Sequence, residues 1–418
     1  MAATFRFKRF SEKQRRVLNW WCDSSPVKDY DGIIADGAIR SGKTVSMSLS
    51  FGLWAMENFN NQNFIMAGKT VGSFRRNVLR LWKTMMISRG FKVEDKRSEN
   101  LVIVTKGDAE NYFYIFGGKD EASQDLVQGI TAAGAFLDEV VLMPESFVNQ
   151  ATARCSVDGS KFWFNCNPGS PLHWFKVGWI NKYKEKRLLY LHFTMEDNLS
   201  LSEKIKERYK GQYSGVFFQR FILGLWTLAE GLIYSVFGDS SIVQTEEREY
   251  TRYVISMDYG IQNATVFGLW GFCDGVWYQV DEYYHSGRET NRQKTDQEYY
   301  DDLERFAGDR YVEYLIIDPS ATSFIALVKQ KKRFKVRKAK NEVVYGIQQV
   351  ASAIQTGKIK VNDCCKNTIK EYGLYSWDMK AGEDRPIKDN DHAMDMTRYF
   401  VVTMNIMKQK SEYTSLLD

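Results

Sequence analysis

The stretch Gly37-Ala-Ile-Arg-Ser-Gly-Lys-Thr44 fits the pattern G-x-x-x-x-G-K-[ST] and constrains the fold more than any other feature of the chain. Such a turn works only when a strand delivers it and a helix carries it away, because its backbone N–H groups must converge on one point. The flanking residues supply both. Gly32–Ala35 reads as a short buried strand, and Lys43–Asn58 as a helix with Val45, Leu49, Leu53 and Met56 at helical spacing. Gly37, Ser41 and Gly42 then lend loop backbone to a phosphate chain. Lys43 would reach the β and γ oxygens and Thr44 would ligate Mg²⁺, which makes ATP the expected ligand. A flexible Gly-Ser turn is the bland alternative.

A second motif fits the first. Ala135-Phe-Leu-Asp-Glu139 is a short apolar strand ending in two carboxylates. Asp138 would hold the Mg²⁺ through water, and Glu139 would polarise the water that attacks the γ-phosphate. Further strands are expected at 63–67, 100–105, 111–116, 161–165 and 188–193, with helices at 72–88 and 144–155 between them. That alternation predicts an α/β sheet with its ligand at the strand C-termini. The strand from Lys161 runs into Asn165-Cys-Asn167-Pro-Gly, where Asn165 or Asn167 is positioned to sense the γ-phosphate, or simply to form a turn. Gln14, in a basic N-terminal helix over 11–21, is either a hydrogen-bond partner for the adenine edge or a plain surface glutamine. The segment 197–225 reads as mostly helical and polar, a lid-like region.

After a connection near 232–250 the pattern restarts. Strands at 253–258, 265–272 and 276–283 are separated by short Gly-containing turns and should be antiparallel neighbours. A charged helix is expected over 290–306, a strand over 312–318, a helix over 321–332 and a last helix over 391–407, with Asp391 as its N-cap. Asp258 and Asp318 end strands. Asp395 sits on the last helix, with His392 a turn before it and Arg398 a turn after, on one face. Carboxylates at neighbouring strand ends, with a third on a covering helix, suit two Mg²⁺ or Mn²⁺ ions about 4 Å apart, the design of RNase H-type nucleases. Singly, each aspartate reads as a turn or cap residue. The run 329–340 has eight basic residues in twelve and no acidic one, so it is either a phosphate-contacting edge or a solvated face. Arg75, Arg76 and Arg80 carry the same two readings.

Composition excludes several classes. With 44% hydrophobic and 26% charged residues the chain is globular, not disordered. Six cysteines without a C-x-x-C spacing, and four scattered histidines, argue against a disulfide framework and a Cys/His zinc site. No apolar run reaches membrane-spanning length and no signal-peptide core follows the N-terminus, so a cytoplasmic, non-secreted protein with no membrane partner is expected. The net charge of +5 permits nucleic acid as a partner without demanding it.

A phosphate-binding loop followed by a three-aspartate set is an unusual pairing. Together with GAIRSGKT, AFLDEV, FNCNPGSPLHW, GLWTLAEGLIY, SMDYGIQNATVFGL, TNRQKTDQEYYDDL, IIDPSATSFI and DNDHAMDMTRY, it resembles the large terminase subunits of tailed bacteriophages, in the PBSX-like branch, over nearly the whole chain. The resemblance implies a P-loop, ASCE-type ATPase domain over 1–231, with the lid at about 197–231, and an RNase H-like endonuclease domain over 251–418. It implies a homopentameric ring on the portal of a procapsid, in the cytoplasm of a bacterial host. That ring pumps double-stranded DNA, with a small terminase subunit as partner and nuclease cuts at the start and end of packaging. On this sequence it assigns Lys43, Thr44, Asp138 and Glu139 to the ATPase, and Asn167 to its coupling motif. Asp258, Asp318 and Asp395, with His392 beside them, fall to the nuclease. The family also needs an arginine to neutralise γ-phosphate charge; Arg40 in the loop and Arg154 after the second motif both qualify. The alternatives are a helicase-like repair ATPase, disfavoured because no second phosphate loop appears, and an ATP-dependent DNA-binding protein whose C-terminal aspartates are structural.

Overall fold

The computed structural model describes residues 7, 9–260, 264–286, 292–378, 381 and 384–408. The Ile-Gln-Asn at 261–263 and the expected helix start at Thr290 lie outside the described residues. The chain divides into two compact units: 1–209 with 218–228, and 210–217 with 229–418.

The first unit is built on eight strands. They are β1 (Gly32–Gly37), β2 (Asn63–Gly68), β3 (Lys92–Lys96), β4 (Leu101–Lys106), β5 (Ala109–Gly117), β6 (Gly134–Leu137), β7 (Lys161–Asn165) and β8 (Leu188–Phe193), in the order β3-β4-β5-β2-β6-β7-β1-β8. From β5 to β8 the sheet is parallel; β3, β4 and β5 form an antiparallel edge. Every residue of β1 and β6 is buried, as strands covered on both faces must be, and apart from Asp36 they are apolar or glycine. β7 lies between β1 and β6, which places the phosphate loop and the Asp-Glu pair one strand apart at the same sheet edge.

Two helices hold the loop from one side. Helix α1 (Glu12–Asn19) starts with a capping box in which Ser11 and Gln14 exchange side-chain-to-backbone bonds, a device contributing about 1 kcal/mol. Helix α2 (Lys43–Asn58) buries Met47, Leu49, Phe51 and Trp54 against the sheet. Burying one such phenylalanine contributes about 1.5–3 kcal/mol. Ser50 joins the layers: its Oγ donates to the Val17 carbonyl (2.6 Å) and accepts from the indoles of Trp21 and Trp163 (3.2 Å each).

The stretch 71–88 is helical as expected but contains a π turn at Arg75–Leu79. Arg75 is a structural cation: it and Lys83 both pair with Asp95 on β3 (2.9 and 2.6 Å). Burial works upward on the Asp95 carboxyl, but the two cations prevail and hold it below the usual carboxylate range. The polar segment 197–225 is less helical than its composition suggests. Glu203–Lys210 is its α-helix of more than three residues; short helical turns follow at Gly215–Phe217 and Phe218–Ile222, and 223–230 carry no helix or strand.

The second unit has seven strands: β9 (Ile242–Val243), β10 (Arg252–Asp258), β11 (Thr265–Cys273), β12 (Val276–His285), β13 (Val312–Ile317), β14 (Val336–Lys338) and β15 (Ile359–Asn362). Their order is β14-β13-β10-β11-β12-β15-β9. β10, β11 and β12 are the expected antiparallel neighbours, and β13 and β14 extend the sheet in parallel from β10. This is the core strand order of an RNase H-like domain. The last helix, His392–Thr403, ends four residues earlier than its pattern suggests and packs over β10 and β11, with Phe400 stacked on Trp270 at 4.2 Å.

Candidate ATPase and carboxylate sites

β1 delivers the loop and α2 receives it at Gly42, which adopts φ +87 and caps the helix without a side-chain bond. The first amides of α2 are therefore turned toward the loop's concave side, where an anion is favoured. Lys43 is buried and folded back over the turn. Its Nζ donates to the carbonyls of Gly37 (3.0 Å) and Ala38 (2.7 Å), to Ser41 Oγ (3.2 Å) and to Asn167 Oδ1 (3.2 Å). Burial pulls its pKa down to about 8, against the opposing effect of Cys166, Asp36, Asp138 and Glu139.

Thr44 and Asp138 meet across the site: Thr44 Oγ1 donates to Asp138 Oδ1 at 3.0 Å. Asn165 ties that pair together. Its Nδ2 donates to Asp138 Oδ1 (2.8 Å) and Thr44 Oγ1 (3.3 Å), and its Oδ1 accepts from the Glu139 amide (2.9 Å). The two asparagines at the end of β7 thus divide the labour, Asn165 facing the Asp138 side and Asn167 facing Lys43. Burial raises the Asp138 pKa, and the bonds from Asn165 and Thr44 work against that rise. Glu139, at φ +56, turns its side chain out of the sheet; desolvation and then the Asp138 charge raise its pKa. Hydroxyl and carboxylate oxygens at this spacing suit Mg²⁺.

Gln14 is buried, not a surface residue. Its Oε1 is committed to the α1 cap while its amide nitrogen lies against Gly42. Arg40 is exposed on the loop at φ +56, its guanidinium over the Tyr209 ring (5.2 Å) and its carbonyl held by Asn198 (2.6 Å). Arg154 ends the helix Glu145–Ala153, with its guanidinium against the Gln150 amide of that helix.

In the second unit, Asp258 at the end of β10 accepts from His392 Nδ1 at 2.9 Å. Burial raises the Asp258 pKa, helped by Asp395 and Asp391 and opposed by His392. Burial works downward on His392, but the bond to Asp258 overcomes it and raises the imidazole pKa. Asp318 follows β13 and accepts from the Ser320 amide (2.8 Å) and Asn341 (3.3 Å). Burial works upward on it, but hydrogen bonds from Ser320, Tyr399 and Asn341 prevail and hold its pKa low. Asp395 is gripped by the buried Arg398 (2.6 Å), with Lys388 at 3.9 Å. Tyr399, which nothing in the sequence marks out from other aromatics, hydrogen-bonds Asp318 and feels the charge of the other two. After burial, the charges of Asp258, Asp395 and Asp318 are what most raise its pKa.

The cap of the last helix differs from expectation. Asp391 occupies the N-cap position but makes no side-chain cap bond and pairs with Lys388 instead (3.4 Å). The capping carboxylate is Glu371, whose Oε2 accepts from the amides of Ala393 (2.7 Å) and Met394 (3.3 Å) while Tyr284 donates to Oε1 (2.9 Å). Among the described residues, no three His, Cys, Asp or Glu side chains are gathered closely enough to enclose a metal ion. The aspartates are still of the donor type a hard cation takes, and a divalent ion would offset both the burial and the neighbouring Asp395 charge that raise the Asp258 pKa.

Residues 34–238 match the family described as terminase large subunit, T4likevirus-type, N-terminal. The large terminase of a thermophilic bacteriophage is 59% identical over 95% of this chain and 100% of its own, with a TM-score of 0.92. The same phage protein in complex with ADP aligns at 58% identity and a TM-score of 0.90, and with ATP-γ-S at 57% and 0.89, each over 95% of this chain and 100% of that one. No curated protein matches the sequence. Family match, identity and coverage agree: the chain belongs to the large terminase subunits of bacteriophages.

Proposed function

We propose that this large terminase subunit hydrolyses ATP at the Gly37–Thr44 loop to drive double-stranded viral DNA through a portal into a procapsid. We assign the cutting of that DNA, at the beginning and end of packaging, to Asp258, Asp318 and Asp395. The observation that carries the reading is the arrangement of Lys43, Thr44, Asp138 and Asn165, with Asn167 on the lysine, side chains from three adjacent segments gathered at the open end of a parallel sheet. The crystallised complexes of the thermophilic phage terminase with ADP and ATP-γ-S support nucleotide as the ligand.

The chain's own groups suffice for positioning. Lys43 and the first α2 amides bind the phosphates. Glu139, whose raised pKa makes it a better proton acceptor, orients and deprotonates the attacking water. Arg40, already on the loop, and Arg154 are the two arginines available to the transition state, and Gln14 lies beside the loop for the base. When bound, Mg²⁺ held by Thr44 and Asp138 would neutralise phosphate charge, and two Mg²⁺ or Mn²⁺ held by the three aspartates would activate water and stabilise the leaving oxygen. His392 orients Asp258 and opposes the rise that burial imposes on its pKa, while Arg398 fixes the rotamer of Asp395.

DNA must be held by its backbone, since a pump accepts any sequence. The basic run 329–340 supports such contact: it spans the edge strand β14, and Lys329, Lys331, Lys332 and Arg333 are exposed there. A portal, a small terminase subunit and a homopentameric ring complete the reading. No helix among the described residues is long and apolar enough to cross a membrane, and we assign the protein to the host cytoplasm and the portal vertex. The test is the full chain with ATP and with supercoiled plasmid plus Mg²⁺ or Mn²⁺. Lys43→Ala and Glu139→Ala should abolish ATP turnover and Asp258→Ala should abolish nicking; normal turnover or undiminished nicking removes the corresponding role.

A further inference from the structure

Asp36, the residue before the phosphate loop, is completely buried yet has no place in the chemistry above. A buried carboxylate is costly unless it is fully bonded, and this one is bonded from two directions. Oδ1 pairs with His192 Nδ1 (3.0 Å) and Oδ2 accepts from the Trp226 indole (2.6 Å), with Tyr190 a further hydrogen-bonding partner. His192 and Tyr190 are on β8, but Trp226 belongs to the segment 218–228.

That segment is a strap on the loop. The Ile39 amide, inside the loop, donates to the Phe221 carbonyl at 2.8 Å. Gly224, at φ +75, presses so closely that a Cβ would lie 3.0 Å from the Ala38 nitrogen and from the His192 ring. The buried Arg220 closes the strap on itself by donating to the Thr227 carbonyl (3.1 Å). The chain passes through the second unit at 210–217, returns to the first for the strap, and leaves again at 229.

The strap and the nucleotide contacts share atoms. An ammonium has three donors, and Lys43 already has four acceptors in reach, two of them the Gly37 and Ala38 carbonyls. A phosphate oxygen that engages Lys43 must displace one of these. The affected peptides adjoin Asp36 on one side and the Ile39–Phe221 bond on the other. We infer that Asp36 is a positioning residue that clamps the 218–228 strap to the phosphate loop, so that occupation of the loop by nucleotide changes the strap's attachment and thereby the chain leading into the second unit. This deepens the ATPase reading and rests on it.

The experiment is hydrogen exchange on the full chain, with and without saturating ATP-γ-S, followed in peptides covering 218–228. Wild type should show a nucleotide-dependent change in exchange there. Trp226→Phe, which keeps a ring but removes the indole donor, should lose that change while ATP-γ-S affinity stays within about twofold. In turnover assays it should lower kcat severalfold with KM for ATP little altered. Asp36→Asn should behave alike; if it does not fold, the tryptophan variant carries the test. A strap whose exchange ignores nucleotide in wild type, or a Trp226→Phe protein that keeps the full change, overturns the proposal. Calorimetry with ATP-γ-S separates the two failures, because a folded wild type that binds none loses the ATPase reading itself, and the strap with it.

Discussion

Glu371 accepts the Ala393 amide at 2.7 Å, so the helix bearing His392 and Asp395 is capped by a buried carboxylate from another helix. Burial raises the Glu371 pKa to about 7, against the pull of Tyr284, the helix amides and His392. An acid with a raised folded pKa stabilises most while protonated. That stability is complete below the unfolded pKa of about 4.3 and is lost as pH climbs through about 7. Glu371→Gln reproduces the protonated form: its oxygen still accepts the amides and its nitrogen can donate to Tyr284. The melting temperature of the variant relative to wild type should therefore rise between pH 5 and pH 8. A difference that is flat or falls over that range would show that Glu371 does not titrate there.

Asn165→Ala is expected to lower ATP turnover at least tenfold, although on our reading Asn165 touches neither nucleotide nor water. It removes the amide that bonds Asp138, Thr44 and the Glu139 backbone. Losing a hydrogen bond to the ionised form sends the already raised Asp138 pKa higher. The acid limb of the pH–rate profile should move to higher pH, whereas a purely structural defect would scale the profile without moving it.

His392→Ala should suppress plasmid nicking more than tenfold and move the acid limb of the pH–nicking profile to higher pH. The imidazole is the hydrogen-bond partner that opposes burial at Asp258. Without it the aspartate ionises later, so raising the pH restores part of the charge the site needs. An acid limb that stays where the parent has it would reduce His392 to a packing residue.

Much of this architecture is legible in the sequence because the sheets are buried. Helix α2 and strands β7 and β8 fall on their expected bounds, since continuous apolar runs between glycines and polar turns leave few alternatives. The edge strand β3, Lys-Val-Glu-Asp-Lys, has no such signal: it carries one apolar side chain and exists because β4 pairs with it and Asp95 collects Arg75 and Lys83. Within the sites, residues with a local motif are readable and those acting at long range are not. Asp391 reads as a cap because it precedes a helix, but the cap comes from Glu371 on another element. Tyr399 has the pattern of a core aromatic on a buried helix, and only the fold brings it to Asp318 and into the field of Asp258 and Asp395. Asp36 falls just past the strand expected over Gly32–Ala35 and has no motif of its own; only the fold brings Trp226 to it.

Gly346→Ala tests how tightly Asp395 depends on its surroundings. A Cβ at Gly346, on the helix Val343–Gln355, would come within 2.5 Å of both Cγ and Cδ of Arg398, the stem of the guanidinium that holds Asp395. Arg398 is almost wholly buried and packed along its length, so the clash falls on a side chain with little room to move. Overpacking of this kind costs about 1–3 kcal/mol. Alanine would also favour the helix by up to about 1 kcal/mol, which offsets part of that cost. The decisive readout is thus not stability but nicking, which should fall severalfold as the displaced stem draws the guanidinium away from Asp395. If Gly346→Ala nicks DNA like the parent while its melting temperature drops, the Arg398–Asp395 contact supports folding alone.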